Sequence, residues 1–239
     1  MSSKDGDGDM VDRDAALIPT RLRTPRAAAV AGIVFSVLLV TALVLIRVSV
    51  PRDPVDGGAW LTDPGRRNAV AIALNLVPFA GIAFLWFIGV VRDRIGQHED
   101  RFFATVFFGS GVLFVGMLFV AAAVAGGMLA DPAILAGHLP SGGTWELERR
   151  ITFILLNIYA FRMGAVFVVS TATIGLRTQI IPRWIGVAGY VVALALLFGV
   201  SLTPLLSLLL PIWIFVLSVY ILVGSLGAQP PAGDPAGRR

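Results

Sequence analysis

A guanidinium in the middle of an apolar run is the group in this sequence with the most chemistry to explain. Arg162 lies twelve residues after Arg150 and fifteen before Arg177. On a helix those separations are about 18 Å and about 22 Å, more than its side chain covers by snorkelling to either edge. Inserting a guanidinium at mid-span costs at least about 2.5–3.5 kcal/mol, so partners are expected. All fifteen Asp and Glu residues fall outside the apolar stretches, which leaves neutral acceptors, water or a bound anion. Asn157 and Tyr159 precede Arg162 on the same stretch, and Tyr159, three residues away, shares its helix face. Asn75 on a second stretch could face it, beside Pro78, which frees a backbone carbonyl. Arg162, Asn157, Tyr159 and Asn75 are therefore the candidate ligand-binding set, with Ser170, Thr171 and Thr173 further along the same stretch.

Other chemistries find little to use. There are no cysteines, which removes disulfides, thiolate metal sites and cysteine nucleophiles. His98 and His138 stand in different loops with no further ligands at metal-site spacing. The Asp5-x-Asp7-x-Asp9 run resembles the start of a calcium loop, but Met10 occupies the required glycine position and Ala16 the closing glutamate position. No serine triad, metalloprotease or phosphate-loop arrangement occurs. Acid–base catalysis would have to rely on loop acids such as Glu146 and Glu148. The sequence leaves catalysis unassigned and weighs against it, and it implies no cofactor and no metal.

The elements that would position Arg162 follow from composition. Of 239 residues, 56% are hydrophobic and 14% charged, with mean hydropathy +0.83, whereas soluble domains average about 25% charged residues. Those values exclude a disordered chain, a coiled coil and a nucleic-acid-binding domain, and count against a soluble enzyme. Six apolar stretches run over about 27–46, 69–91, 102–129, 151–176, 184–202 and 204–226. Crossing a bilayer takes about 20 helical residues, and these stretches are apolar all round. The predicted fold is an all-α, polytopic bundle of six transmembrane helices over 27–226, between disordered cytoplasmic tails at 1–26 and 227–239.

Ser201, Thr203 and Pro204 divide the last two spans, and Pro211 is expected to kink the sixth. With the amino terminus inside, twelve basic residues flank the spans inside and six outside, so both termini are placed in the cytoplasm. Trp60, Trp145 and Trp184 suit the headgroup layer. Small residues at Ala28, Gly32 and Ser36, and at Ala123 and Gly127, mark helix-packing surfaces within the bundle or between protomers. The second and fourth spans share Arg-Arg, Leu-Asn-Leu/Ile and Ile-Gly elements, around Asn75 and Asn157, that suggest an internal repeat.

Glu99–Val106, Phe161–Gly164, Thr171–Ile174 and Ile181–Trp184 together resemble multi-spanning membrane proteins of actinobacterial type, in the domain-of-unknown-function class. The resemblance covers most of residues 66–200 and implies the bacterial inner (cytoplasmic) membrane as location, without an activity. The expected function is binding or transport of a lipid or small amphipathic anion at a polar cavity around Arg162. The alternative is a non-catalytic structural or partner subunit, in which Arg162 ties helices together through carbonyls and amides. Membrane lipids, a second copy or a membrane-protein partner are the expected partners, and nucleic acid is not.

Overall fold

The computed structural model describes residues 24–50, 59–95, 101–135, 138, 142–200 and 202–227. Of the tails expected at 1–26 and 227–239, residues 24–26 and Gly227 are helical and the rest lies outside the described residues, as do the Asp-rich run, His98 and Ser201. Among the described residues all regular structure is helical. The order is α1 (Thr24–Ser49), a 3-10 turn (Ala59–Thr62), α2 (Pro64–Ile95), α3 (Arg101–Leu129), the one-turn α4 (Pro132–Leu135) and α5 (Gly142–Ile154). A π-helical turn (Leu155–Ala160) joins α5 to α6 (Phe161–Arg177). Then follow α7 (Arg183–Phe198), a 3-10 turn (Pro204–Leu208) and α8 (Leu209–Gly227).

Among the described residues five helical segments are long and apolar enough to cross a membrane: Arg26–Ser49, Pro64–Arg92, Phe102–Leu129, Trp145–Arg177 and Pro204–Ser225. The sixth apolar helix, α7, has 16 residues, about 24 Å of rise. The expected fifth span thus ends at Phe198 rather than near 202.

Several boundaries move for local reasons. α2 begins five residues before the expected 69 because Asp63 accepts the Gly65 backbone N–H at 2.8 Å and Pro64 takes the first helical position. α6 ends in a turn where Gln179 adopts φ 54° and the Ile180 N–H reaches the Gly175 carbonyl at 3.1 Å, closing orphan carbonyls in the left-handed manner of a helix C-cap. Pro211 does not interrupt the sixth helix. It stands in the first turn of α8, where its missing N–H has no intrahelical partner to lose.

The helices pack about a phenylalanine cluster. Phe35 of α1 lies 4.6 Å from Phe84 of α2, which lies 5.3 Å from Phe114 of α3 and 4.9 Å from Phe167 of α6 (ring centroids). Glycines admit these rings: a Cβ on Gly111 would meet Ile88 and Phe167, and one on Gly164 would meet Leu210 and Phe114. Gly32 is likewise an internal contact, facing Ser218 and Phe87. At one end of the bundle Arg26 donates to the Ser225 carbonyl at 3.5 Å, so the start of α1 and the end of α8 lie together. Arg92 and Arg177 cover Phe108 and Phe103 at 4.8 and 4.5 Å.

Candidate functional site

The four residues expected to surround one polar cavity are not gathered. Arg162 is exposed on the bundle surface and donates from Nε to the Leu197 carbonyl at 3.4 Å. Leu197 is the penultimate residue of α7, so the guanidinium meets the unsatisfied, electronegative end of that helix. Tyr159 points outward, 53% exposed. Asn75 is also exposed and spends its amide on the Ala71 carbonyl at 2.8 Å. Asn157 alone of the four is buried and lines a cavity, its Nδ2 donating to the Phe153 carbonyl at 3.1 Å. Asn75 and Asn157 share this bond to the carbonyl four residues back, yet they face opposite environments. The π turn, in which the Phe161 N–H bonds the Leu156 carbonyl, adds its extra residue only to the second.

The cavity exists because α7 is short. α7 packs antiparallel on α6, with Gly186 against Leu176 and Gly189 against Ala172, and it stops level with Arg162. The helix it packs on continues to Trp145, a further 17 residues or about 26 Å, with no α7 beside it. That unfilled space is a cavity of about 850 Å³ between α1, α2, α3, α5 and the α7–α8 connection. It lies within the range of drug-sized ligand sites, about 300–1,000 Å³.

One end of the cavity is closed by a second apolar cluster of Trp60, Leu61, Val70, Met128, Leu129, Ile134 and Trp145. The two tryptophans, expected in the headgroup layer, are instead buried against each other at 6.1 Å between ring centroids. Arg67 ties this cap to α4 by donating to the Ile134 carbonyl at 3.1 Å. Trp184 does stand exposed at the opposite end. One side of the cavity is open: Val44 and Val48 of α1, Phe153 of α5, and Leu202 and Leu205 of the connection line it and remain exposed, Val48 to 78% and Leu202 to 84%.

Trp145, Arg149, Thr152 and Leu156 succeed one another at helical spacing and all line the cavity, so one stripe of the α5 helix supplies its polar wall. Arg47, at the end of α1, adds a second guanidinium. Arg149 is half-buried and makes no hydrogen bond or ion pair among the described residues, while Arg150 is held by Glu146 on an exposed face. Among the described residues the Thr152 hydroxyl, like that of Ser218 in α8, is buried without a partner. Seven other hydroxyls in the helices, from Ser36 to Thr178, bond the carbonyl four residues back. None of the described lining residues is acidic.

Arg47, Arg149, Thr152 and the tryptophan pair were not singled out as binding residues by sequence. A usable signal was present in Glu146, which pairs with Arg150 at i+4 and leaves Arg149 for the adjoining face. The all-helical architecture, the five apolar helices of spanning length and the sideways-opening cavity define a multi-pass helical membrane protein. Comparison of the chain with family models, curated proteins and solved structures finds no match.

Proposed function

We propose that this chain binds a lipid or other amphipathic anion in the cavity between α1, α2, α3 and α5. The observation that carries this reading is the cavity itself: about 850 Å³, walled mainly by apolar side chains, with Arg47, Arg149 and Thr152 on its lining. A soluble ligand would have to pass the apolar, exposed side of the cavity, whereas a bilayer component would be solvated there. The proposal includes six spans, with α7 as the fifth, in the bacterial inner membrane, as the resemblance of residues 66–200 implies. Both chain ends then face the cytoplasm, in keeping with the meeting of Arg26 and Ser225 and the larger count of basic residues at that end.

Native mass spectrometry of gently extracted protein tests the reading. The protein is expected to carry a lipid-sized adduct, and Ala125→Phe, which puts a ring into the cavity from α3, is expected to remove it from a monodisperse protein. An adduct that survives Ala125→Phe in a folded variant refutes the assignment to this cavity.

The open face of α3 favours a second reading, a partner subunit of a membrane complex. A Cβ on Gly109, Gly116 or Gly127 would meet nothing within 4 Å, leaving room for close helix approach from another chain. A defined partner that co-purifies and is lost in Gly116→Leu would support it.

A further inference from the structure

Resting on the cavity reading, we propose that the ligand is an acyl chain bearing a terminal anionic group, phosphate or carboxylate. Its head lies at Arg149 and Thr152 and its chain runs inward toward Leu39 and Leu118. The polarity of the cavity runs one way. Arg47 stands at the end of α1 and Leu39 eight residues deeper, about 12 Å along the helix. On the opposite wall Arg149 stands near the capped end and Asn157 eight residues inward. Beyond Asn157 the α3 wall is apolar at Leu118. A ligand that matches this gradient is charged at one end and apolar along its remaining length.

The sign of the charge comes from the lining. The Arg149 guanidinium, without an ion-pair partner, and the lack of a carboxylate among the described lining residues favour an anion and disfavour an ammonium-bearing head group. Thr152 follows Arg149 by three residues, on the same face of α5. Among the described residues its hydroxyl makes no bond of the kind that seven other hydroxyls make to the carbonyl four residues back, and, like that of Ser218 in α8, it is buried without a partner. A hydroxyl donor one turn from a guanidinium with no ion-pair partner matches the oxygens of a phosphate or carboxylate. The apolar, exposed residues along the open side place the source of the ligand in the bilayer.

The test is native mass spectrometry of the full chain in detergent, titrated separately with five probes. They are a single-chain lipid phosphate, a fatty acid of the same chain length, a zwitterionic single-chain lipid, a diacyl anionic lipid and inorganic phosphate. The acyl anions are expected to bind at least about tenfold more tightly than the zwitterion, the difference made by one charge-assisted head-group contact. Inorganic phosphate alone is expected not to bind. The relative strength of the phosphate and carboxylate arms identifies the head group, and that of the single-chain and diacyl arms identifies the lipid source. Arg149→Gln and, separately, Thr152→Val are expected to reduce the preference for anions, the first to near equality. Arg66→Gln, an exposed arginine near the same end that pairs with Asp63, is expected to leave it intact. Equal binding of zwitterion and anion by the unaltered chain overturns the proposal, as does a preference unchanged by both Arg149→Gln and Thr152→Val. In either case the cavity reading stands if Ala125→Phe still abolishes binding. Binding of every probe that persists in a folded Ala125→Phe protein overturns both.

Discussion

Arg162→Ala separates the two roles that an arginine at mid-span can have. Its Nε bond to the Leu197 carbonyl is 3.4 Å long, beyond the usual 2.7–3.2 Å range. The contribution therefore falls toward the low end of the roughly 1.5–3 kcal/mol typical of bonds to charged groups. A cation at the end of α7 adds roughly 0.3–1 kcal/mol through the helix dipole. The insertion cost of the arginine is borne equally by the separated helix in the bilayer, so it cancels when the bundle comes apart. Removing the side chain is then expected to destabilise the bundle by about 2 kcal/mol. The thermal midpoint should fall by roughly 4–8 °C for a chain of this size, as read by a detergent-solubilised unfolding assay. Arg162→Lys should recover part of the loss through its charge. Amphiphile binding, measured on the same preparations, should change by less than about twofold at temperatures where the variant is folded. An unaltered midpoint refutes the helix-end role. Loss of binding at an unaltered midpoint goes further, because it would return the site to a cavity around Arg162.

Two other expectations concern packing and topology. Gly32→Val would drive its side chain onto Ser218 and Phe87 and is expected to cost about 1–3 kcal/mol by overpacking, whereas Gly127→Ala, with nothing within 4 Å and a helix-propensity gain of up to about 1 kcal/mol, should not lower the unfolding midpoint apart from lost oligomer contacts. Equal sensitivity at the two positions would contradict the α1–α8 contact. The chain contains no cysteine, so each introduced thiol reports alone. Asn68→Cys, at the exposed start of α2, and Arg183→Cys, at the exposed start of α7, should react with a membrane-impermeant maleimide from opposite sides. The first should label in intact cells and the second only in inverted vesicles. The reverse pattern would invert the orientation.

What hydropathy reads well is the presence of an apolar helix, because any spanning segment must satisfy its own backbone and present apolar side chains. The expected 102–129 and the observed Arg101–Leu129 differ by one residue for that reason. It reads ends poorly where a local contact decides them. Asp63 and Pro64 start α2 early, and the Trp60–Trp145 pair draws the α5 helix nine residues beyond the expected 151. Site residues were harder still. Arg162 stood out because a charge in an apolar run is costly, but cost identifies a residue that needs a partner without naming the partner. The carbonyl that meets it, 35 residues away at Leu197, depends on where α7 stops; Gly199 at the C-cap marks that stop, but the apolar Val200 and Leu202 beyond it let hydropathy carry the span further.

The length of α7 links these observations. Another three turns of helix beyond Phe198 would carry α7 alongside α5 and fill the space that Arg149, Thr152 and Asn157 now face, leaving Arg149 either lipid-facing or in need of a carboxylate. With the helix ended at Phe198, Arg162 supplies the cation that its terminal carbonyls lack, and the chain returns through Thr203 and Pro204 along the cavity. Close packing leaves few voids of this size in a helical interior. In a bilayer an apolar void open at its side is filled by acyl chain. Under the proposed reading, Arg149 would then select which lipids bring a head group that can stay. Arg162 meets the helix end beside which the cavity opens, and under the proposed reading Arg149, an arginine that the span boundaries assign to a loop, would be the residue that meets the ligand.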